Sequence, residues 1–409
     1  MRTKRYRKLT HEMSVHAVLD AFDKKWFRRD YLSVVEKYGG ISRAELQKSS
    51  RNGDVNLQLE AAHGIALEME QRIEDLLEGD AEDLDLEPVR VFHRIDGISM
   101  KLRELSSCCP LHQCFGHLAV LGMEPLLRAR LLPYQYASIP GKGQVALKRQ
   151  VERWLRRKSL GIEHAVKLDV EGAYAHTKKD LIVKILRREI PKALWIINVV
   201  ICLLDMSPGP GLLIGGYLEA WLFNLVASYM LVKVLGYSKI RRGAARPLVV
   251  RCGSYMDDIA LFGRRWADIQ SAARKLTKWA MSEMGLTIKP KWVRIDFLSA
   301  TDEHQRRGKS GAAKGCPGLD MAGYVIHRTY TTIRPKIFLR ARRQYLRAAF
   351  DVSKIGHVPS WRSFKIISYN GYFVWTKSRK ISGSLNCKKL FTAAKISVRI
   401  AALKKARKA

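Results

Sequence analysis

The sequence predicts an α+β fold, and three observations carry that reading. An apolar, β-branched stretch from Leu248 to Phe262 is interrupted by Asp257-Asp258, which reads as strand, short acidic turn, strand. A second run, Val166-Lys167-Leu168-Asp169-Val170-Glu171, alternates: Val166, Leu168 and Val170 share one face, Lys167, Asp169 and Glu171 the other. Elsewhere apolar residues recur at helical spacing, as at Ile269, Ala273, Leu276 and Ala280, where Gly285 closes the segment.

The tight apolar flanks hold the Asp-Asp turn, so its carboxylates must repel one another or bind a cation. Hard divalent ions, Mg²⁺ above all, take a few carboxylates together with substrate phosphates. Asp169, presented from a strand with a buried back, is the natural third carboxylate.

Composition sets the bounds. The chain has 409 residues, 47% of them hydrophobic, enough for two or three subdomains around a real core. Its formal charge of +35 exceeds any solubility need and points to a polyanionic partner, with a ribosomal-type or membrane-surface protein as the bland alternative. Residues 54–88 nevertheless hold twelve acidic residues against Arg72 alone, so the remainder carries +46. Seven cysteines without a Cys-x-x-Cys pair, and no visible signal peptide, lead us to expect a reduced, cytoplasmic protein. Gly211 to Val232 is long and apolar enough to span a bilayer, but a buried helix beneath the acidic turn explains it better, and no membrane partner is expected.

The remaining elements follow in order. Residues 1–53 are basic and partly apolar, with Trp26, Phe27, Tyr31 and Leu32 marking a helix that packs. Residues 54–88 read as a helix, with Leu57, Leu59, Ile65, Leu67, Ile73 and Leu77 at moderate helical spacing, followed by an acidic linker. Val91 to Leu105 reads as two short strands about an Asp96-Gly97 turn, with Lys101 and Arg103 on one face. Cys108, Cys109, His112, Cys114 and His117 have a zinc-like look. On a helix the last four spread over about 200° of the circumference and cannot converge on one tetrahedral ion, so a packed helix is the better reading. Pro140-Gly141-Lys142-Gly143-Gln144 is a turn suited to phosphate contact, but not a Walker loop. A basic amphipathic helix covers Val145 to Lys158. Another starts at Pro335, with Phe338, Ala341, Tyr345, Ala348 and Ala349 inward and Arg340, Arg342, Arg343 and Arg347 largely outward. Residues 301–318 read as a polar loop, and Lys388 to Lys408 as a further basic helix.

Tyr255-Met256-Asp257-Asp258, preceded by Leu168-Asp169-x-x-x-x-Tyr174, resembles the palm of a reverse transcriptase, nearest to the bacterial types. The likeness covers roughly residues 90–350, about two-thirds of the chain. Gly211-Leu212-Leu213-Ile214-Gly215 is similar to the family's Gly-Leu-Pro-Gln-Gly block, with Leu213 and Ile214 at its Pro and Gln positions and Glu219 at a following Ser. Gly285-Leu286-Thr287-Ile288-Lys289-Pro290-Lys291 is similar to its next palm motif, and Asp320 to Ile326 to its primer-gripping strand pair.

The resemblance implies a right-hand polymerase fold: an N-terminal helical extension with an acidic linker over 1–88, fingers over 89–160, a palm of small antiparallel sheet plus helices over 161–330 and a basic helical thumb and tail over 331–409. It implies RNA-directed DNA polymerase activity by two-metal nucleotidyl transfer, with two Mg²⁺ ions and Mn²⁺ as a possible substitute. Asp169, Asp257, Asp258 and the Val170 carbonyl would be the metal ligands. Lys101, Arg103, Tyr174, Ile214, Gly215 and Lys289 or Lys291 would contact the incoming dNTP, with Tyr174 either gating the sugar or serving as a core residue. Lys142, Gln144, Arg340, Arg343 and Arg347 would contact nucleic acid. The implied partners are an RNA template or non-coding RNA, a DNA product or primer and dNTPs, in an anti-phage defence setting. A diversity-generating or group II intron-like element is the alternative, and a non-catalytic RNA-binding protein on a polymerase fold the reading from a different class.

Overall fold

The computed structural model describes residues 5–95, 102–297, 299, 302 and 318–408; the side chains of Arg103, Arg379 and residues 404–408 are not described. Lys101, the Asp96-Gly97 turn and nearly all of the 301–318 loop therefore lie outside the described residues. The architecture is mixed α and β, mostly helical, with small antiparallel sheets. The chain forms two compact units, each discontinuous in sequence.

The first unit comprises residues 1–138, 170–234 and 275–289. Its N-terminal part is α1 (His11–Phe22), α2 (Arg29–Gly39), α3 (Arg43–Arg51) and α4 (Asn56–Glu78). Local chemistry sets their ends. Thr10 caps α1, a reciprocal Ser42–Glu45 capping box starts α3, and Gly40 and Gly79 close α2 and α4 in the left-handed region. The buried stripe of α4 is Ala61, Ala62, Ile65, Ala66, Met69 and Ile73. Leu59, Leu67 and Leu77, expected inward, are exposed. The small residues face in because α4 crosses α2 closely: a Cβ on Gly39 would lie 2.9 Å from Ala61 Cα, and one on Gly64 would strike the Tyr38 carbonyl oxygen.

Next come the hairpin β1 (Arg90–Ile95) and β2 (Leu102–Ser107), then α5 (Pro110–Arg130), a long core helix capped by Cys109. The side chains that had the zinc-like look go to separate partners: Cys109 Sγ accepts from the His112 backbone, His112 Nε2 lies 3.4 Å from the Leu203 carbonyl, and His117 stacks on Tyr217 at 3.7 Å. After α7 (Ala173–His176), α8 (Lys179–Glu189) and α9 (Leu194–Asp205), the apolar helix α10 runs Tyr217–Leu235. It starts later than hydropathy suggests, because the irregular Pro208 to Gly216 segment is held outside the helix by backbone bonds: Pro210 O accepts from Lys179 N–H, and Leu212 N–H donates to Tyr174 O. Among the described residues α10 is the one helix long and apolar enough to cross a membrane, and 67% of its apolar window is buried inside the protein.

The second unit comprises residues 139–169, 235–274 and 290–409. Its centre is a four-stranded antiparallel sheet of β6 (Arg251–Tyr255), β7 (Asp258–Gly263), β3 (His164–Asp169) and β8 (Val293–Asp296), in that order. The helix α6 (Gln144–Arg156) packs near it, with Trp154 edge-on to Phe262. A hairpin, β4 (Ser238–Arg241) and β5 (Ala244–Pro247), precedes the sheet, and α11 (Trp266–Met284), which ends at left-handed Gly285, follows β7. A three-stranded sheet, β9 (Leu319–Met321), β10 (Tyr324–Ile326) and β11 (Thr331–Ile333), leads into α12 (Pro335–Ile355), with Pro335 in its first turn and Gly356 at its end. The helices α13 (Ser360–Val374), α14 (Arg379–Ser384) and α15 (Cys387–Lys408) close a helical cluster around Ile337, Ala341, Tyr345, Ala348, Ile366 and Phe373. Phe338 is only partly buried and Ala349 is exposed, so Ile337 takes the inward place that spacing gave to its neighbour.

The α2–α4 crossing gives a test of the first unit. Gly64→Ala should destabilise the protein by about 1–3 kcal/mol, because backbone rather than a movable side chain blocks the new methyl. Chemical denaturation of the variant against wild type measures it; an unchanged midpoint would contradict the close crossing.

Candidate active site: a carboxylate cluster with a resident lysine

Three of the singled-out residues meet in the four-stranded sheet. The strands β6 and β7 form a hairpin with Met256 and Asp257 at its turn, and Asp169, the last residue of β3, pairs directly with Asp258. Met256 has φ 53°, a left-handed conformation unfavourable for a side chain with a Cβ, so the turn is held by its surroundings. Those surroundings are apolar: Ile259, Ala260, Leu261, Phe262 and Cys252 are fully buried.

The sheet also brings Lys167 to the cluster. It sits on the same face as Asp169, two residues earlier, and its Nζ lies 2.8 Å from Asp258 Oδ2, with both side chains largely buried. Burial pushes the Asp258 carboxyl up to about 6; Lys167 pulls it down, while the charges of Asp257 and Asp169 add to the rise. The carboxylates are thus close enough to feel one another. Like unit charges about 5 Å apart repel by roughly 3 kcal/mol at an effective dielectric of about 20, so a cation beside them offsets a large cost. Sequence reasoning required a cation here but overlooked Lys167, although the alternation that places it beside Asp169 was in plain view. Among the described residues, no group of three or more His, Cys, Asp and Glu side chains is arranged to hold a metal ion.

The other members of this unit lie as follows. The amide oxygen of Gln144 accepts from the Tyr372 hydroxyl at 3.2 Å, and Gln144 also hydrogen-bonds Tyr255 of the hairpin. It links α6, β6 and α13, a structural role that its placement in a phosphate-contacting turn did not suggest. Lys142 is partly buried, which lowers its pKa, in a turn shaped by left-handed Gly141 and by Gly143. Lys291, Arg343 and Arg347 are exposed, and Arg340 is half-buried.

The first unit holds the remainder. Tyr174 stacks on Phe223 at 5.2 Å and is half-buried. The Ile214 carbonyl accepts from Ser106 N–H at 3.1 Å and from its hydroxyl at 3.2 Å, tying the 211–215 block to β2 and leaving the Ile214 side chain 38% exposed. Gly215 has φ 116°, which few other residues tolerate, and a Cβ there would lie 3.5 Å from Ser106 O. Val170 is buried and bridges Ile288, and Lys289 is exposed. Glu219 is buried in the first turn of α10, and burial raises its pKa.

No family model matches the chain, and no curated protein matches it.

The raised Asp258 carboxyl makes a pH prediction. A carboxyl that binds its proton more tightly in the folded state than its ordinary 3.8 contributes stability in full below that value, and the contribution is lost as pH rises through about 6. In chelator, Asp258→Asn should therefore gain on wild type by on the order of 2 kcal/mol between pH 4 and pH 6.5. Denaturation of both proteins across that range checks it; a constant difference would contradict the assignment.

Proposed function

We propose that the chain is an RNA-directed DNA polymerase whose second unit contains the palm of a right-hand polymerase fold, acting in the cytoplasm on dNTPs with an RNA template. One observation carries the reading: the Tyr-Met-Asp-Asp turn caps a hairpin whose Asp258 pairs in register with Asp169, so three carboxylates share one sheet edge. The order of the motifs along the chain and the charge of +35 support it.

The donor chemistry fits a hard divalent ion, since all three side chains are carboxylates and the charges of Asp257 and Asp169 raise the Asp258 carboxyl. Asp169 and Asp257 would hold the ions, with Asp258 secondary because Lys167 engages it. Two Mg²⁺ ions, when bound, would supply the charge that activates a primer 3′-hydroxyl and steadies the departing pyrophosphate. The protein's own contribution is positional. The strained Met256 turn and the β3–β7 register fix the carboxylates, and Lys167 limits their mutual repulsion. Tyr174, braced by Phe223, would support the sugar and disfavour a 2′-hydroxyl. Lys289 and Lys291 are the cations proposed for the triphosphate.

The Lys167–Asp258 ion pair also favours a second reading, a nucleic-acid-binding protein that keeps the sheet without the chemistry. Primer extension separates the two. Wild type should extend a DNA primer on an RNA template in Mg²⁺. Asp169→Ala and Asp257→Ala should each reduce synthesis by at least about a thousandfold, since each removes a ligand that stabilises the transition state. RNA binding and the melting profile should be retained. Synthesis by either variant near the wild-type rate would overturn the site, and none by wild type would favour the binding protein.

A further inference from the structure

The chain from Pro335 onward has nineteen lysines and arginines and a single acidic residue, Asp351. Arg362 engages that one: its Nε donates to Asp351 Oδ2 at 2.5 Å and its Nη1 to Gln344 Oε1 at 3.1 Å, which locks α13 to α12. On this helical pair Lys336, Arg342, Arg343, Arg347, Lys354 and Lys365 are exposed beside that one neutralised carboxylate, a cationic surface suited to a polyanion.

The same surface carries rings that the helical core does not use. Trp361 is 57% exposed, and Phe350 and Phe364 are each 61% exposed. Single exposed apolar residues are ordinary, but three aromatic rings at one end of one helical pair are not. Phe350 immediately precedes Asp351 and Trp361 immediately precedes Arg362, so the ion pair fixes the backbone of both; Phe364 is one turn further along α13. Cations accompany the rings. The Arg362 guanidinium lies 4.4 Å and Lys365 Nζ 5.3 Å from the Trp361 ring centre, and Lys354 Nζ lies 5.9 Å from that of Phe350. Asp351 and Gln344 hold Arg362 in place beside the indole.

We propose that Phe350, Trp361 and Phe364 form a stacking platform for the bases of single-stranded nucleic acid, with Lys354 and Lys365 meeting its phosphates. Duplex bases are stacked inside the helix and cannot reach such rings, whereas unpaired bases can lie flat on them. Charge complementarity selects this occupant over a protein partner. The proposal stands on α12 and α13 alone and does not depend on the carboxylate cluster.

The test is binding by the full chain at fixed salt, followed by fluorescence anisotropy. The probes are an unstructured RNA of about twelve nucleotides, the DNA of the same sequence, and a blunt RNA duplex of equal length. The double variant Trp361→Ala, Phe364→Ala should lose about tenfold or more in affinity for both single strands, because stacking on an aromatic ring tolerates either sugar. Its duplex affinity should stay within about twofold, because charge alone serves there. Trp361→Phe, which keeps a ring, should retain most of the single-strand affinity. Equal losses for single strands and duplex, or no loss, would overturn the proposal. So would unchanged RNA binding with altered sedimentation, which would assign the face to a second copy of the chain.

Discussion

The ion pair between Lys167 and Asp258 is the interaction on which the candidate site depends. Antiparallel pairing of β3 with β7 places Asp169 opposite Asp258, and the hairpin turn adds Asp257. Three carboxylates at one sheet edge, backed by Ile259, Leu261 and Leu168, would repel strongly in a poorly solvated environment. A lysine on the same strand as Asp169 answers that repulsion within the fold. The sheet can then be stable with no ion bound, and a divalent cation would meet a cluster already partly neutralised. Such an arrangement would lower affinity for an ion while keeping the carboxylates in place.

Other parts of the second unit hold this edge in place. Gln144 connects the Tyr255 hydroxyl to Tyr372, so the strand carrying the acidic turn is coupled to the helical cluster through side-chain hydrogen bonds. A glycine at position 323 is needed beside the Tyr372 ring, where a Cβ would come within 2.8 Å. Arg328 donates to the carbonyls of Leu155 and Ile162, satisfying backbone groups at the end of α6 and ahead of β3. In the first unit Glu189 gathers Arg5, Arg130 and the Tyr229 hydroxyl into one network, and Arg72 joins Glu68, Tyr38 and the Leu84 carbonyl. The acidic helix α4 is thus tied by its lone arginine to its own surroundings, while Glu60, Glu74 and Glu78 face solvent.

Much of this was legible in the sequence wherever a local rule was decisive. Two β-branched runs about Asp257-Asp258 gave a hairpin, Gly285 ended α11, and Pro335 began α12. What escaped depended on tertiary partners. Hydropathy could not show that residues 208–216 are held in an irregular path by the backbones of Lys179 and Tyr174, so α10 was expected to begin too early. Leucine spacing misplaced the buried stripe of α4, because the close crossing at Gly39 and Gly64 selects alanines instead. The tyrosine partners of Gln144, some 110 and 230 positions away, could not be foreseen from any local rule. Lys167 was legible in principle, since alternation puts it beside Asp169, but its pairing with Asp258 depends on the β3–β7 register.

The most direct measurement is Mn²⁺ binding to the full chain, followed by electron paramagnetic resonance, for wild type, Lys167→Met and Asp257→Ala. The account predicts that wild type binds Mn²⁺ weakly, that Lys167→Met binds it several-fold more tightly because a competing cation has gone, and that Asp257→Ala loses binding. No binding by wild type or Lys167→Met, or equal binding by all three proteins, would contradict the claim that these aspartates form a cation site with a resident lysine.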